Sequence, residues 1–448
     1  MDNCNILNNQ SEIMDTPETE KHTLFYLLFG CFCALLFIRN VFDIQFPIVI
    51  MLAMGSIICL FASQNELMAL ALSCIPFSAG FQYKYLLIVI MAAYFLRFNS
   101  RIKNFGMVIP LAIMMIWELF HGVLDFPFSV IEYLRGFAEL IFCTFIVVFA
   151  KNEFNLNFIS RVLAFSTIFS SAIVLLNLLV ETNFDFSAVF VDGNYRFGIG
   201  AVDVENYGMN YNANGLGFMI NTAISGLLLL NYKKQSKSSD YVMVVILTIF
   251  GILTASRSFI ICWIVMFLMF LFINAKSINI FLPSVMLFLL GITLLSATLY
   301  LSAPYLIDNI VARFQVTDIT GGRSDLFAYY MRFLFAAPIN CLFGTGMQDV
   351  RSKVETLAQT MPVNVSHNGI QELWIVWGVF GIVMFACFLI ALVYFSKRNA
   401  KKHCLANYIP LLLTLFMVQS GQLITSGNTL ITFAFVYVSL SEQFGTKS

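Results

Sequence analysis

Residues 279–302 read NIFLPSVMLFLLGITLLSATLYLS, a stretch of 24 residues without a charged side chain. An α-helix needs about 20 apolar residues to cross the hydrocarbon core of a bilayer, so this stretch predicts a transmembrane helix. The rest of the chain is similar, because 59% of its 448 residues are hydrophobic and only 11% are charged. The mean hydropathy is +0.84, and a single soluble core could not bury so much apolar surface. The sequence therefore predicts a polytopic integral membrane protein of the all-α class.

The same pattern recurs along the chain and predicts about 12 to 14 transmembrane helices. The candidate spans lie near 22–38, 44–63, 67–80, 82–98, 105–121, 128–150, 157–181, 211–231, 241–254, 258–274, 279–302, 368–396, 407–420 and 428–441. The spans 67–80 and 241–254 are short enough to be re-entrant or partial, and 407–441 also fits one broken hairpin.

Basic residues in the short loops predict the orientation. They cluster at 97–103, 233–237 and 397–402, with Lys151 and Lys276 between them. When all fourteen spans are kept, these positions fall on one face together with both termini. Because cytoplasmic loops carry an excess of Lys and Arg, that face is predicted to be cytoplasmic.

This orientation divides the chain into three parts. Residues 1–21 and 442–448 are predicted to be cytoplasmic tails, and 22–441 the transmembrane domain. The two longest polar segments, about 182–210 and 303–367, then lie outside the cytoplasm as loops of that domain. Residues 1–20 are polar and acidic, which argues against a cleavable signal peptide.

Charge and cysteine content exclude several classes of function. The formal net charge is zero, so neither a polyionic partner nor nucleic acid is expected. The ten cysteines have no paired CxxC spacing and sit mostly in apolar runs, as at Cys59, Cys143 and Cys262. They are interpreted as small apolar residues. Without an HExxH, a DxD pair or a Cys/His ligand set, no metal or cofactor is expected.

The predicted outer side carries mostly arginine. The residues are Arg39, Arg135, Arg196, Arg257, Arg313, Arg323, Arg332 and Arg351, with only Lys84 and Lys353 beside them. Membrane topology does not favour positive charge on this side. A guanidinium binds phosphate oxygens through two parallel hydrogen bonds, which favours an anionic lipid-linked substrate such as a pyrophosphate. The alternative is a set of surface salt bridges with Asp192, Asp203, Asp308, Asp318 and Asp325.

Two short motifs lie next to span boundaries. The first combines Arg196-Phe-Gly-Ile-Gly with Asn210-Tyr-Asn212-Ala-Asn214-Gly. Its asparagines fit either helix capping or the binding of sugar hydroxyls. The second, Thr254-Ala-Ser-Arg257-Ser, lies between two apolar segments with almost no loop. An ionisable residue at that depth is a candidate functional residue, with a structural arginine at the membrane boundary as the alternative.

Two further motifs flank the end of the long second loop. Gly321-Gly-Arg323-Ser-Asp is followed by Arg332, Pro338 and Gly344-Thr-Gly, and these glycines would let backbone amides approach a ligand closely. Residues 323–335 fit an amphipathic helix at the interface. Ser366-His367-Asn368-Gly-Ile-Gln-Glu372 then leads into Trp374-Ile-Val-Trp-Gly. His367 fits either a general base or a helix cap. Glu372 is expected to be buried at the top of the span.

Taken in order, these motifs resemble the O-antigen polymerase and O-antigen ligase superfamily. The resemblance covers roughly residues 130–440. One departure is Ala255, which stands where the family usually has glycine. The resemblance implies a bacterial inner-membrane glycosyltransferase that acts without metal or nucleotide sugar on glycans linked to undecaprenyl pyrophosphate. Besides this glycan and membrane lipid, a chain-length regulator protein is a candidate partner.

The resemblance also implies roles for individual residues. The catalytic candidates are Arg257, Arg323, His367 and Glu372. Arg257 and Arg323 would hold the pyrophosphate together with Arg196, and His367 would be the base for the acceptor hydroxyl. The substrate-binding candidates are Arg196, Asn212, Asn214, Arg332 and Asn368. A polymerase that joins repeat units is favoured, because both predicted outer loops contain arginine. A ligase that transfers glycan to lipid A-core is the first alternative. A polysaccharide flippase is the second, although the chain lacks matching halves with midplane charges.

Overall fold

The structure is a computed structural model of the protein. It describes residues 22–42, 44, 46–77, 83–98, 105–124, 154–185, 197, 213–275, 277–315, 323–336, 338–347, 368–399, 404–420 and 429–441. Within these ranges the regular elements are all helical. The predicted span 128–150 and both predicted tails lie outside the described residues. The all-α fold class is confirmed.

In the described part of the chain, eight helices precede the Thr-Ala-Ser-Arg turn. They are α1 (Thr23–Val41), α2 (Ile48–Phe61), α3 (Gln64–Phe77), α4 (Tyr83–Arg97), α5 (Phe105–Leu124), α6 (Leu156–Glu181), α7 (Ala213–Tyr232) and α8 (Ser238–Leu253). Eight more follow it, namely α9 (Arg257–Asn274), α10 (Ile278–Ser302), α11 (Pro304–Gln315), α12 (Arg323–Ala336), α13 (Pro338–Phe343), α14 (Gly369–Asn399), α15 (Ile409–Ser420) and α16 (Thr429–Ser441). A 3₁₀ turn, Leu405–Tyr408, leads into α15.

The helices coincide with the predicted spans wherever those spans are described. Seven helices in the described part of the chain are long and apolar enough to cross a membrane. Four shorter apolar segments, in α2, α8, α15 and α16, accompany them. The protein is therefore a multi-pass membrane protein, and the total of 12 to 14 spans stays a prediction.

Burial separates core helices from peripheral ones. Every residue of α3 from Glu66 to Phe77 is buried, and Ile431–Ser441 of α16 is buried as well. By contrast, α10 has no buried residue although it is one of the longest helices. An all-round apolar helix with so little of its surface covered by protein is suited to contact with lipid. Cys59 and Cys262 are free, buried thiols, as predicted, and Cys143 lies outside the described residues.

Polar contacts identify the two ends of the bundle. At one end His22 contacts Glu66 at 2.8 Å, and Arg161 pairs with Asp240 at 2.9 Å. The opposite end, called the loop face below, is where α6 ends and where α7, α9 and α14 begin. The predicted site residues that the structure describes all lie on helices of this end.

Candidate functional site

The Thr254-Ala-Ser segment forms a tight turn between α8 and α9. The Thr254 hydroxyl donates to the Gly251 carbonyl at 2.6 Å and accepts the Ser256 backbone N–H at 3.2 Å. The Ser256 hydroxyl then accepts the Phe259 N–H at 3.2 Å, which makes Ser256 the N-cap of α9. Between them Ala255 has a φ of 46°, in the left-handed region that favours glycine. This backbone conformation explains why glycine would suit position 255.

The first predicted motif meets this turn through Asn214. The Ser256 hydroxyl donates a hydrogen bond of 2.7 Å to Oδ1 of Asn214, which is the second residue of α7. About two helical turns further on, the Asn221 amide donates to the Phe259 carbonyl at 3.1 Å. Asn214 therefore joins α7 to α9, a structural role, and its predicted contact with substrate stays a prediction.

Arg257 is the first residue of α9 and is half-buried. The helix dipole favours anions at the N-terminus of a helix. A cation placed there is unfavourable by about 0.3–1 kcal/mol. The dipole of α9 by itself therefore does not stabilise this charge. A guanidinium and a helix N-terminus would, however, both favour an anion bound between them.

The helix α12 places two more predicted arginines. Arg323 is its first residue, as Arg257 is in α9, and Arg332 is exposed. Tyr330, Phe333 and Leu334 of α12 are buried against Ile375 of α14. The predicted helix at 323–335 is therefore confirmed, with an apolar face against α14 and Arg332 outside that contact.

The start of α14 holds Asn368 and Glu372. Oδ1 of Asn368 accepts the N–H groups of Ile370 and Gln371 at 3.1 Å each, so Asn368 caps the helix. The Gln371 amide donates to the Phe327 carbonyl at 2.8 Å and ties this turn to α12. Glu372 is 3% exposed, which confirms its predicted burial.

A glycine-rich turn, Gly344-Thr345-Gly346, lies against a kink in α14. The kink is at Gly378, which has a φ of 68° inside the helix. The amides of Thr345 and Gly346 donate to the carbonyls of Ile375 and Val376 at 2.9 and 2.8 Å. Backbone groups inside a membrane protein must be satisfied internally, and the turn supplies donors to carbonyls next to the kink. Gly344 and Gly346, which were among the glycines predicted to approach a ligand, thus approach a helix backbone.

Sequence reasoning missed Glu118 of α5, which contacts the same region. Glu118 is 5% exposed. Its carboxylate accepts the Met347 N–H at 2.9 and 3.1 Å and the Trp377 indole N–H at 2.7 Å. The signal was present, because Glu118 is an acidic residue inside an otherwise apolar span. It was overlooked because no recognised motif lies before residue 130.

One electrostatic interaction links residues at the described ends of the two long predicted loops, Asp185 and Tyr305. Burial raises the pKa of the Tyr305 phenol above its usual range, and the carboxylate of Asp185 adds to this effect. Asp185 follows α6, where the first loop begins, and Tyr305 lies at the start of α11 in the second.

The described contacts form two groups at the loop face. One joins Asn214 to the turn before Arg257, and the other joins the helix of Arg323 and Arg332 to Asn368 and Glu372. Helix α15 contacts α7 and α9 of the first group and α14 of the second. Three predicted residues, His367, Arg196 and Asn212, lie outside the described residues. The second group directly follows His367 in sequence.

A comparison with known families matches the later part of this site. Residues 242–386 match the family model for O-antigen ligase. The matched segment contains Arg257, Arg323, Arg332, Asn368 and Glu372. It supports the O-antigen polymerase and ligase superfamily, and thus a glycosyl-transferring enzyme, without distinguishing polymerase from ligase. It gives no support to the flippase alternative. No curated protein matches the chain.

Proposed function

We propose that this protein polymerises oligosaccharide repeat units linked to undecaprenyl pyrophosphate, on the outer face of the bacterial inner membrane. The product is O-antigen or a related surface polysaccharide. The observation that carries the proposal is the placement of Arg257 and Arg323, each as the first residue of a helix, inside the segment that matches the O-antigen ligase family. A helix N-terminus and a guanidinium are both suited to a pyrophosphate.

The proposed reaction transfers a glycosyl group between two sugars. The oxygen of an acceptor hydroxyl attacks the anomeric carbon of the donor and forms the new glycosidic bond. The bond from that carbon to the pyrophosphate oxygen breaks, and undecaprenyl pyrophosphate leaves with the electron pair. His367 takes the hydroxyl proton, or orients the hydroxyl, and a positioned base contributes about 10²–10⁴-fold to such a step.

The arginines have the complementary task in this mechanism. Negative charge grows on the pyrophosphate as it leaves, and fixed cationic donors stabilise charge that develops in the transition state. We assign this role to Arg257, Arg323 and Arg196. Arg332, Asn212, Asn214 and Asn368 are assigned to the glycan, with Asn214 and Asn368 also making the structural bonds described above. Glu372 is the next candidate base.

A ligase is the second candidate function, because the matching family carries that description. A ligase would transfer the finished glycan to lipid A-core with the same donor and leaving group. The arginine and histidine roles would be unchanged, and only the acceptor would differ.

Deletion of the gene in its host, with the surface glycan resolved on a gel, tests the proposal. Loss of a polymerase should leave surface lipid with no more than one repeat unit. Loss of a ligase should leave bare core while polymer accumulates on the undecaprenyl carrier. We expect the first pattern, and His367→Ala should reproduce it at normal protein abundance. An unchanged glycan pattern would contradict both functions.

A further inference from the structure

We propose that Glu118 is a positioning residue. It holds the glycine turn and the loop-face half of α14, residues 369–377, in the geometry that the proposed reaction needs. This inference rests on the proposed function. A buried carboxylate inside a transmembrane helix is expensive, and such residues are usually functional. Because burial of a polar group costs free energy even when it is hydrogen-bonded, the position of Glu118 calls for a reason beyond stability.

The bonds of Glu118 join three separate parts of the chain. One donor is the backbone of Met347, at the end of the glycine turn, and the other is the indole of Trp377, directly before the Gly378 kink. The single carboxylate of α5 therefore fixes the turn and the kinked helix relative to each other.

Two neighbours of Glu118 reinforce this contact. Trp117 donates its indole N–H to the Phe343 carbonyl at 3.1 Å, and a His121 ring nitrogen lies 3.0 Å from the same oxygen. The loop-face end of α5 thus contacts residues 343–347 through three side chains. We call Trp117, Glu118 and His121 the α5 clamp.

The α5 clamp acts on the half of α14 that carries the candidate site. Residues 369–377 precede the Gly378 kink and include Glu372, and Asn368 caps them. The Trp374 indole donates to the Cys341 carbonyl at 3.0 Å, so this half is also tied to α13. His367 is the residue directly before Asn368. A shift of residues 369–377 would therefore move Asn368, which follows His367 directly in sequence.

Glu118 differs from a catalytic base in what it needs chemically. A positioning residue needs acceptor oxygens for Met347 and Trp377, and glutamine still offers one oxygen with two lone pairs. A base needs a carboxylate, which glutamine lacks. Glu118→Gln should therefore keep kcat within about threefold, whereas Glu118→Leu should lower it on the order of 10- to 100-fold at similar KM.

The test uses purified full-length protein with undecaprenyl-pyrophosphate-linked repeat units from the host as substrate. Trp377→Phe removes one donor without touching the carboxylate, and it should lower kcat in the same direction as Glu118→Leu. The double variant should be no worse than Glu118→Leu, because both changes remove one interaction. Glu66→Leu is the matched control, since Glu66 is also a buried carboxylate, 7% exposed, at the opposite end of the bundle. It should leave kcat unchanged in the protein that inserts.

Hydrogen–deuterium exchange without substrate gives an independent readout. Glu118→Leu and Trp377→Phe should speed exchange of the amides in 344–347 and 369–377 and leave 257–274 unchanged. Normal kcat in Trp377→Phe, or loss of activity in Glu118→Gln equal to that in Glu118→Leu, would overturn the positioning role, as would unchanged exchange in Trp377→Phe. A wild-type protein that processes no lipid-linked glycan would overturn the proposed function instead, while the exchange result would still decide whether Glu118 holds the turn.

Discussion

The hydroxyl of Ser256 serves two helices at once, because it donates to Oδ1 of Asn214 at 2.7 Å and accepts the N–H of Phe259 at 3.2 Å. Asn214 belongs to α7, and Ser256 caps α9. Two motifs that are about forty residues apart in sequence are therefore one structural unit. Arg257, the first residue of α9, is held at the point where these helices meet.

This relationship predicts non-additive effects on stability. Ser256→Ala should lower the free energy of unfolding by about 1 kcal/mol through the lost cap, and somewhat more through the lost bond to Asn214. Asn214→Ala removes that same bond between Asn214 and Ser256, so the double variant should lose less than the sum of the single variants. Thermal unfolding in detergent measures all three. Strict additivity would show that the two side chains act independently.

The left-handed backbone at Ala255 predicts a stabilising substitution. Left-handed geometry costs an L-residue about 1–2 kcal/mol relative to glycine, and glycine's extra freedom in the unfolded chain offsets part of this. Ala255→Gly should therefore raise the thermal midpoint, and Ala255→Val should lower it because a β-branched residue tolerates positive φ poorly. Lys234→Gly is the matched comparison, since Lys234 has a φ of 57° in the turn between α7 and α8. The same argument predicts that it also raises the thermal midpoint. A lower midpoint for Ala255→Gly would contradict this account.

Apolar periodicity and length were sufficient to predict the helical fold, because each membrane span must satisfy its own backbone. The description of Gly344 and Gly346 as a loop that approaches a ligand could not be improved from sequence. The carbonyls that accept from Thr345 and Gly346, those of Ile375 and Val376, lie thirty residues away. Their availability depends on a kink at Gly378 inside an apolar run. Glu118 was missed for a related reason, since its significance comes from Met347 and Trp377, more than 220 residues later.

The glycine contacts predict a sharp contrast between positions. A Cβ at Gly344 would lie 2.2 Å from the Val376 carbonyl oxygen, and one at Gly378 would lie 2.2 Å from that of Leu342. Both glycines also have positive φ. Gly344→Ala and Gly378→Ala should each destabilise the protein by at least about 1–3 kcal/mol. Gly291→Ala in α10 is the control, because nothing lies within 4 Å of its Cβ position. Equal thermal midpoints for Gly378→Ala and Gly291→Ala would disprove the close approach.

Metal chelation should leave activity unchanged. The predicted site uses guanidinium groups where many glycosyltransferases use a cation, and no hard-cation ligand set is visible in the sequence. Purified protein given lipid-linked repeat units should therefore give the same product in excess chelator as in buffer. Loss of product that added magnesium or manganese restores would reveal a metal site outside the predicted residues.

Arginine geometry provides the most direct test of the pyrophosphate site. Arg257→Lys and Arg323→Lys keep the positive charge but lose the planar pair of donors that matches phosphate oxygens. Removal of one donor aimed at developing negative charge typically costs about 10²–10³ in kcat, so each variant should lose activity on that order at normal abundance. Arg161→Lys is the matched control, because Arg161 forms a two-pronged pair with Asp240, at 2.9 and 3.0 Å, at the opposite end of the bundle. That variant should lower stability and leave kcat unchanged. Near-wild-type kcat in both Arg257→Lys and Arg323→Lys would show that the site needs only positive charge at these positions. Full activity of both alanine variants would show that these residues are not part of the site.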